Sequence, residues 1–160
     1  MIATPQADKT NPRPAGLVVF LLGEQEFGLH ISSIERIVRV VEITPLPDAP
    51  DGVLGVVNVQ GSIIPVFDTR TCFRLPRREL QLSDHLIVAH TAKRKVGLVV
   101  DAVLGVVKEN PATIVNAESI LPGLDSMEGV VKAKDDLILI QNLDRFLSLN
   151  EESSLHLMKA

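Results

Sequence analysis

Between residues 55 and 70 the chain reads GVVNVQGSIIPVFDTR. Two apolar runs, 53–59 and 63–67, flank the polar residues Gln60-Gly61-Ser62, a pattern typical of two β-strands joined by a tight hairpin turn. Asp68 follows the second run and can cap the free amides of a helix that begins there. The segment therefore predicts a strand, a turn, a second strand and a short capped helix.

The chain resembles itself at two fixed offsets. Shifted by 74 residues, the hairpin segment aligns with a similar segment near the C-terminal end of the chain. Shifted by 69 residues, the part of the chain before the hairpin segment aligns with the part that begins near residue 87. The matched pairs include Gly28 with Gly97, Gly55 with Gly129, Ile34 with Val103, Ile37 with Val106, Val66 with Ile140 and Asp68 with Asn142. Glycine inside a strand marks a bulge or a close approach of backbones, so the paired glycines indicate a true repeat.

The repeat predicts two related β-units, approximately 17–75 and 84–149, each of about five strands and related by a pseudo-twofold. A unit of this size cannot bury a sufficient core alone, so the two units should share a hydrophobic seam. Periodicity does not show whether strands are exchanged between them. Residues 1–16 are expected to form a disordered tail and residues 151–160 a C-terminal tail.

Composition agrees with an all-β fold, because 20 valines and 12 isoleucines supply a fifth of the chain and their branched Cβ suits a sheet. Strands are expected at 17–22, 38–43, 53–59, 63–67, 85–90, 96–100, 103–107, 130–133 and 137–141. Short helices are expected over Ser32–Ile37, from Asp68 and after Asn142. Pro65 should place its strand at an edge or beside a bulge, because proline donates no ladder hydrogen bond.

Charge and length exclude several classes of partner. The net charge is −4 and the chain has neither tryptophan nor tyrosine, so nucleic acid is not an expected partner. No apolar run approaches the roughly 20 residues that cross a bilayer, and the first 16 residues contain no secretory signal. The chain has a single cysteine, Cys72, and this low cysteine content indicates a location in the cytoplasm, where disulfides are rare.

No catalytic residue, metal site or cofactor is expected. The four histidines show no metal-ligand spacing with one another or with Cys72, and no phosphate-binding glycine loop is present. A small β-barrel hydrolase that uses Cys72 or Asp68 remains an alternative, but it requires a polar pocket that the sequence does not indicate.

The segment 55–70 closely resembles the signature G-V-x-N-L-R-G-x-I-x-P-V-x-D-L-R of CheW-like chemotaxis adaptors, and the resemblance covers roughly residues 16–150. It implies two intertwined SH3-like β-barrels that act as a scaffold and catalyse nothing. One barrel would bind the regulatory domain of a CheA-type histidine kinase, and the seam between the barrels would receive the cytoplasmic tip of a chemoreceptor. Such a protein would be cytoplasmic and associated with membrane-bound receptor arrays.

The resemblance also implies two sets of contact residues. The receptor set is Ile34, Arg36, Ile37, Gly55, Asn58, Gln60, Val103 and Val106. The kinase set lies in the connection 45–53 and the hairpin edge 61–65, and comprises Pro45, Leu46, Pro47, Val53, Gly61, Ile63 and Pro65. For every apolar member, core packing is an equally good interpretation.

Two positions depart from the family pattern. Family members commonly carry arginine at the position of Gln60 and glutamate at that of Arg36, so a typical charge pair is replaced here by an amide and a cation. This predicts a divergent chemosensory system whose receptor tip is complementary to Arg36. A further alternative is a regulator that sequesters the kinase without assembling an array.

Overall fold

A computed structural model describes residues 16–40, 42–50, 52–76, 78–108, 113–124, 126–133, 136–145 and 147. The strands in this part of the chain are β1 (Gly16–Leu22), β2 (Gln25–His30), β3 (Ile34–Arg39), β4 (Val53–Val59), β5 (Ser62–Phe67), β6 (His85–His90), β7 (Lys95–Val100), β8 (Ala102–Lys108), β9 (Ile114–Asn116), β10 (Met127–Ala133) and β11 (Asp136–Gln141). The α-helices are α1 (Thr69–Cys72) and α2 (Ala117–Ile120), and a 3-10 turn spans Ile31–Ser33. The predicted all-β class with short helices is confirmed.

The strands form two sheets. The six-stranded sheet has the order β8-β1-β2-β11-β10-β9, and the five-stranded sheet has the order β3-β6-β7-β5-β4. Neighbours are antiparallel except β2 with β11 and β5 with β7, which are parallel. The five-stranded sheet draws its strands from 34–100, whereas the six-stranded sheet uses the chain on either side of that segment. Each sheet therefore combines strands from both repeat units, which is compatible with the intertwined barrels that the resemblance implies.

The repeat also governs how the strands are aligned. The register is the same in both sheets when the offsets of 69 and 74 are applied. The corresponding cross-strand pairs are Gly28–Ile140 with Gly97–Val66, Val18–Val106 with Ile87–Ile37, and Gly129–Ile140 with Gly55–Val66. The two offsets thus describe a genuine pseudo-twofold relation in which β1 and β2 exchange places with β6 and β7.

Buried side chains form three clusters. Each sheet has its own cluster of five buried residues, and the members correspond one to one under the two offsets. They are Leu17, Val19, Val131, Ile138 and Ile140 in the six-stranded sheet, and Leu86, Val88, Val57, Ile64 and Val66 in the five-stranded sheet. This one-to-one correspondence shows that the duplication extends to the packing of the interior.

The third cluster, which we call the shared core, joins the two sheets. Its buried members are Phe20, Leu22, Phe27, Leu29, Phe67, Ile87, Ala89, Val96, Leu98, Val100, Leu143 and Leu147. Phe27 stacks on Phe20 with ring centroids 5.7 Å apart and on Phe73 at 4.6 Å. The shared core is the hydrophobic seam that the small size of each unit predicted.

The predicted helix over Ser32–Ile37 is wrong. Only Ile31–Ser33 turns as a 3-10 helix, and the chain then runs as β3 along β6, so the predicted strand 38–43 begins four residues earlier and ends at Arg39. Ile34, Ile37 and Val38 are β-branched and pack on a pleated surface once β6 offers its edge. The strand β2 was absent from the predicted strands, although the repeat had aligned its residues with β7.

The predicted cap at Asp68 and the predicted helical turn after Asn142 are confirmed. The carboxylate of Asp68 accepts hydrogen bonds from the backbone N–H of Thr71 at 3.4 Å and from its hydroxyl at 2.7 Å, at the start of α1. The amide oxygen of Asn142 accepts from the backbone N–H of Arg145 at 3.1 Å, where residues 143–145 are helical. Asp68 and Asn142 are repeat counterparts, so the capping of these turns is duplicated as well.

Pro65 does not lie in an edge strand, because β5 is paired on both sides. In the β4–β5 ladder it lies opposite Val56, whose backbone N–H and C=O instead exchange 2.9 Å hydrogen bonds with Thr44. Val56 and Pro65 are therefore a non-hydrogen-bonded pair. The missing backbone N–H of Pro65 thus removes no hydrogen bond from the β4–β5 ladder. The register shift in this ladder falls in β4, between Val53 and Gly55.

The first strand begins at Gly16, one residue inside the segment expected to be a tail. Residues 1–15 and 148–160, on which the two tail predictions fall, lie outside the described residues. Among the helices in the described ranges, none is long and apolar enough to cross a bilayer.

Candidate partner-binding surfaces

The edge strand β3 places two predicted receptor contacts beside the shared core. Ile34 lies opposite Ala89 and Ile37 lies opposite Ile87, and both partners belong to the shared core. Directly opposite residues in an antiparallel pair project from the same face of the sheet. Ile34 packs against the shared core, while Ile37 remains 37% exposed at its rim.

The edge strand β8 repeats this arrangement in the other sheet. Val103 lies opposite Phe20 of the shared core and packs against that cluster, and Val106 lies opposite Val18. Val106 is 62% exposed, as expected for the counterpart of Ile37. The structure therefore brings four of the eight predicted receptor contacts onto equivalent positions around one apolar seam.

Near Gly16, Val106 of β8 comes close to the turn that precedes β3. A Cβ atom at this glycine would lie 3.4 Å from Cγ1 of Val106 and 3.9 Å from Cδ1 of Ile31, the residue that opens the turn before β3. Ile31 is itself partly exposed. We call Ile31, Ile34, Ile37, Val103 and Val106 the seam strip.

Each edge strand ends with an exposed cation. Arg39 lies opposite His85 and Lys108 lies opposite Gly16. Each cation stands two residues beyond Ile37 or Val106, so it projects from the same face as the seam strip. Neither residue is among the candidates that the sequence predicts, although the offset of 69 pairs Arg39 with Lys108 directly.

Arg36 lies on the other face of β3. It pairs with Val88, a member of the five-stranded sheet's own cluster, across a register shift between Ile34 and Arg36. Its Nε is buried and has no hydrogen-bond partner among the described residues. Arg36 therefore does not share a face with Ile34 and Ile37, and its counterpart on β8 is Gly105.

The remaining receptor candidates lie at the opposite edge of the five-stranded sheet, where three strands separate β4 from β3. A Cβ atom on Gly55 would overlap the carbonyl oxygen of Thr44, so this buried glycine permits a close approach of backbones. The amide oxygen of Asn58 accepts a 2.8 Å hydrogen bond from the N–H of Gly61. Gln60 and Gly61 have φ of 49° and 88°, as a two-residue type I′ hairpin turn requires.

The kinase candidates cluster around the β4–β5 hairpin and the connection before it. Ile63 is 65% exposed, and its repeat counterpart Leu137 is 52% exposed on the β10–β11 hairpin. Leu46 is exposed on the connection, together with Pro45 and Pro47. Val53, by contrast, packs against the shared core. Leu46 and Ile63 are thus the large apolar members of this set that present surface to a partner.

A cleft of about 430 Å³ contains four acidic and two basic side chains, and it is lined by Leu54, Asp68, Arg70, Arg78, Glu79, Leu80, Asp84, Val99 and Asp101. Arg78 donates to Asp84 at 2.7 Å and to Asp101 at 2.6 Å, and Arg70 also donates to Asp101. Burial raises the pKa of Asp101, but hydrogen bonds from Arg78, Gly23 and Arg70 outweigh it and hold the pKa below its ordinary value. Within the cleft, Asp84 and Asp101 are therefore held in an ion-pair network with the two arginines.

Cys72 is a poor candidate nucleophile. Burial first, and then the nearby carboxylate of Asp68, raises the pKa of its thiol to about 12, so the thiol is protonated at neutral pH. Asp68 is engaged in capping α1. A hydrolase that uses Cys72 would therefore lack an activated nucleophile. Across the described ranges, no group of three or more histidine, cysteine, aspartate or glutamate side chains is placed to hold a metal ion.

The model of the CheW-like domain family matches residues 16–151. The chemotaxis protein CheW of Rhizobium meliloti is 29% identical over 140 residues, which cover 86% of this chain and 90% of that protein. The chemotaxis protein CheW of Thermotoga maritima is 32% identical over 130 residues, which cover 80% of this chain and 84% of that protein.

The fold is similar to that in a crystal structure of the scaffolding protein TtCheW from Thermoanaerobacter tengcongensis. The TM-score is 0.77 at 31% sequence identity, and the match covers 86% of this chain and 94% of that one. The family model spans both sheets and all the described residues. This chain belongs to the CheW-like domain family.

Proposed function

We propose that this chain is a chemotaxis adaptor that holds a chemoreceptor and a CheA-type histidine kinase in one complex and catalyses no reaction. The relatives named for chemotaxis and scaffolding support this role. The observation that carries it is the seam strip, a set of apolar side chains on two edge strands that is packed at its base and open at its rim. A location in the cytoplasm, beside membrane-bound receptors, follows from this role.

The seam strip is the proposed receptor surface. Protein interfaces have an apolar centre with a polar rim, and amphipathic helices dock into grooves of this kind. Ile37 and Val106 would contact the receptor tip directly, while Ile34 and Val103 would support them from below. Arg36 faces away from the strip, so its role in choosing a receptor would require a second contact that reaches around β3.

The β4–β5 hairpin and the connection before it form the proposed kinase surface. Leu46 and Ile63 would supply the apolar contacts. Gly55, Asn58, Gln60, Gly61 and Pro65 would act by fixing the shape of this hairpin, and Pro45 and Pro47 by stiffening the connection. Because β4 is separated from β3 by three strands, the two proposed surfaces can be occupied at the same time.

The test is reconstitution of the complex from the full-length chain, a CheA-type regulatory domain and a soluble fragment of a chemoreceptor tip. Size-exclusion chromatography should show a ternary complex. Ile37→Asp and Val106→Asp should remove the receptor fragment and retain the kinase domain, and Leu46→Asp and Ile63→Asp should do the reverse. Leu82→Asp is the matched control, since Leu82 is 89% exposed and belongs to neither surface.

The adaptor role requires both contacts, so it is refuted if the wild-type chain fails to bind the kinase domain or fails to bind the receptor fragment. Kinase activity separates coupling from the alternative of sequestration. A coupling adaptor changes the kinase rate only when the receptor fragment is present, whereas a sequestering regulator lowers the rate without it.

A further inference from the structure

We propose that the seam strip selects a receptor tip that carries a carboxylate on each side of its apolar stripe, one for Arg39 and one for Lys108. This inference rests on the proposed function, because it concerns the surface proposed to bind the receptor. It assigns a recognition role to two residues outside the candidates derived from the family.

The geometry of the two edge strands supports this inference. On the shared-core face, β3 presents Ile34, Ile37 and Arg39, and β8 presents the corresponding Val103, Val106 and Lys108. Residues three apart share a face here because each ladder contains a register shift, which adds one residue to the edge strand. The shift falls between Ile34 and Arg36 in the β3–β6 ladder. It falls at the equivalent place, opposite the step from Val19 to Phe20, in the β8–β1 ladder. Each strand therefore offers two apolar side chains followed by a cation.

The charges of this rim are open to a partner. Arg39 and Lys108 are exposed, and neither forms an ion pair with another residue in the described ranges. Other basic side chains are engaged, since Lys95 lies 3.1 Å from Glu35 and His30 contacts Glu128 at 2.8 Å. Two positive groups thus stand at the rim of an apolar strip in a chain whose net charge is −4.

Covering the strip constrains the charge of the partner. An apolar surface that docks on Ile37 and Val106 removes water from the neighbouring cations, which costs free energy unless the partner supplies an acceptor of opposite charge. A carboxylate at each rim meets this requirement, and a basic rim on the partner would be repelled. The pseudo-twofold further favours a partner with two antiparallel arms, because such a partner can present the same group to both strands.

The experiment measures the affinity of the full-length chain for a soluble chemoreceptor-tip fragment by fluorescence anisotropy at low and high salt. Arg39→Glu and Lys108→Glu should each weaken binding by about tenfold at low salt, and by less at high salt, because rim charges act through screened electrostatics. Lys93→Glu is the control, since it makes the same charge change on the exposed β6–β7 turn. A tip fragment with lysine in place of its flanking carboxylates should bind the double variant better than the wild type.

The outcomes separate this inference from the adaptor role. If the wild type binds the fragment and both charge reversals behave like Lys93→Glu, the recognition by Arg39 and Lys108 is wrong and the adaptor role stands. An effect of only one reversal refutes the two-sided arrangement. If the wild type binds no tip fragment, both proposals fall.

Discussion

The backbone N–H of Gly23 donates a 2.7 Å hydrogen bond to the carboxylate of Asp101, 78 positions away in the sequence. Gly23 turns the chain between β1 and β2 of the six-stranded sheet, whereas Asp101 stands where the chain leaves β7 of the five-stranded sheet for β8. The N–H of Asp101 in turn donates to the carbonyl of Leu21 at 3.0 Å. One aspartate therefore fastens the exchanged hairpin β1–β2 at the crossing between the sheets.

Replacement of Asp101 by asparagine should destabilise the protein at neutral pH. The carboxylate also accepts hydrogen bonds from Arg70 and Arg78, and its side chain is 19% exposed, so the loss should amount to about 2–4 kcal/mol. Urea denaturation of Asp101→Asn against Asp48→Asn, a change at an exposed loop position, measures it. Equal free energies of unfolding for the two variants would contradict the fastening role.

The same carboxylate predicts a pH dependence. The pKa of Asp101 is lower in the folded protein than in the unfolded chain, so its stabilisation is complete above the unfolded value of about 3.9 and is lost as the pH falls from there through the folded value. The difference in stability between wild type and Asp101→Asn should therefore shrink below about pH 4. A difference that stays constant down to acid pH would show that the charge is irrelevant.

Alanine at Gly55 or at Gly129 should destabilise the fold strongly. A Cβ at Gly55 would overlap the carbonyl oxygen of Thr44, and one at Gly129 would lie 2.6 Å from that of Val115, so backbone must move in both cases. We expect losses of about 2–4 kcal/mol at each site. Gly23→Ala is the control for backbone conformation without a steric clash, since Gly23 has a positive φ but nothing lies within 4 Å of its Cβ position. This substitution should lower the free energy of unfolding by about 1 kcal/mol.

Leu17 and Leu86 should respond alike to truncation. They are fully buried repeat counterparts in the clusters of the two sheets, so Leu17→Ala and Leu86→Ala should each cost about 2–5 kcal/mol. Leu82→Ala should change stability by less than about 0.5 kcal/mol, because Leu82 is almost fully exposed.

Thermal unfolding should show a single transition in both the Leu17→Ala and the Leu86→Ala variant, since the shared core couples the sheets. Two separate transitions would mean that the sheets unfold independently.

Cys72 should react slowly with thiol reagents in the folded protein. With a pKa of about 12, the thiolate fraction at pH 8 is on the order of 10⁻⁴, whereas an unfolded cysteine with a pKa near 8.5 is about one quarter ionised. Labelling by a disulfide reagent at pH 8 should therefore accelerate strongly in urea. Rapid labelling without denaturant would show an activated thiol and reopen the hydrolase alternative.

The sequence predicted the hairpin at Gln60-Gly61, the cap at Asp68, the helical turn after Asn142 and the family, because each depends on residues that lie close together in the chain. Two offsets were enough to predict the pseudo-twofold. The helix over Ser32–Ile37 failed because residues spaced three apart satisfy both a helix and a strand with a register shift, and only the edge of β6 selects the strand. Half of the receptor set does not lie on the seam strip, because family motifs carry no information about which face of a strand or which edge of a sheet a residue occupies. Arg36 faces away from the strip, and Gly55, Asn58 and Gln60 lie at the opposite edge of the five-stranded sheet.

The sequence by itself determined most of the strand segments, where most of the turns fall and that the chain contains the same unit twice. These properties follow from local backbone preferences and from the period of the apolar residues, which are written along the chain. Only the tertiary structure decided that β1–β2 and β6–β7 exchange sheets, that Arg36 faces away from the seam, and that Arg39 and Lys108 flank it. An exchanged strand has the same apolar period as a local one, and the choice between them depends on which edges meet when the shared core is buried.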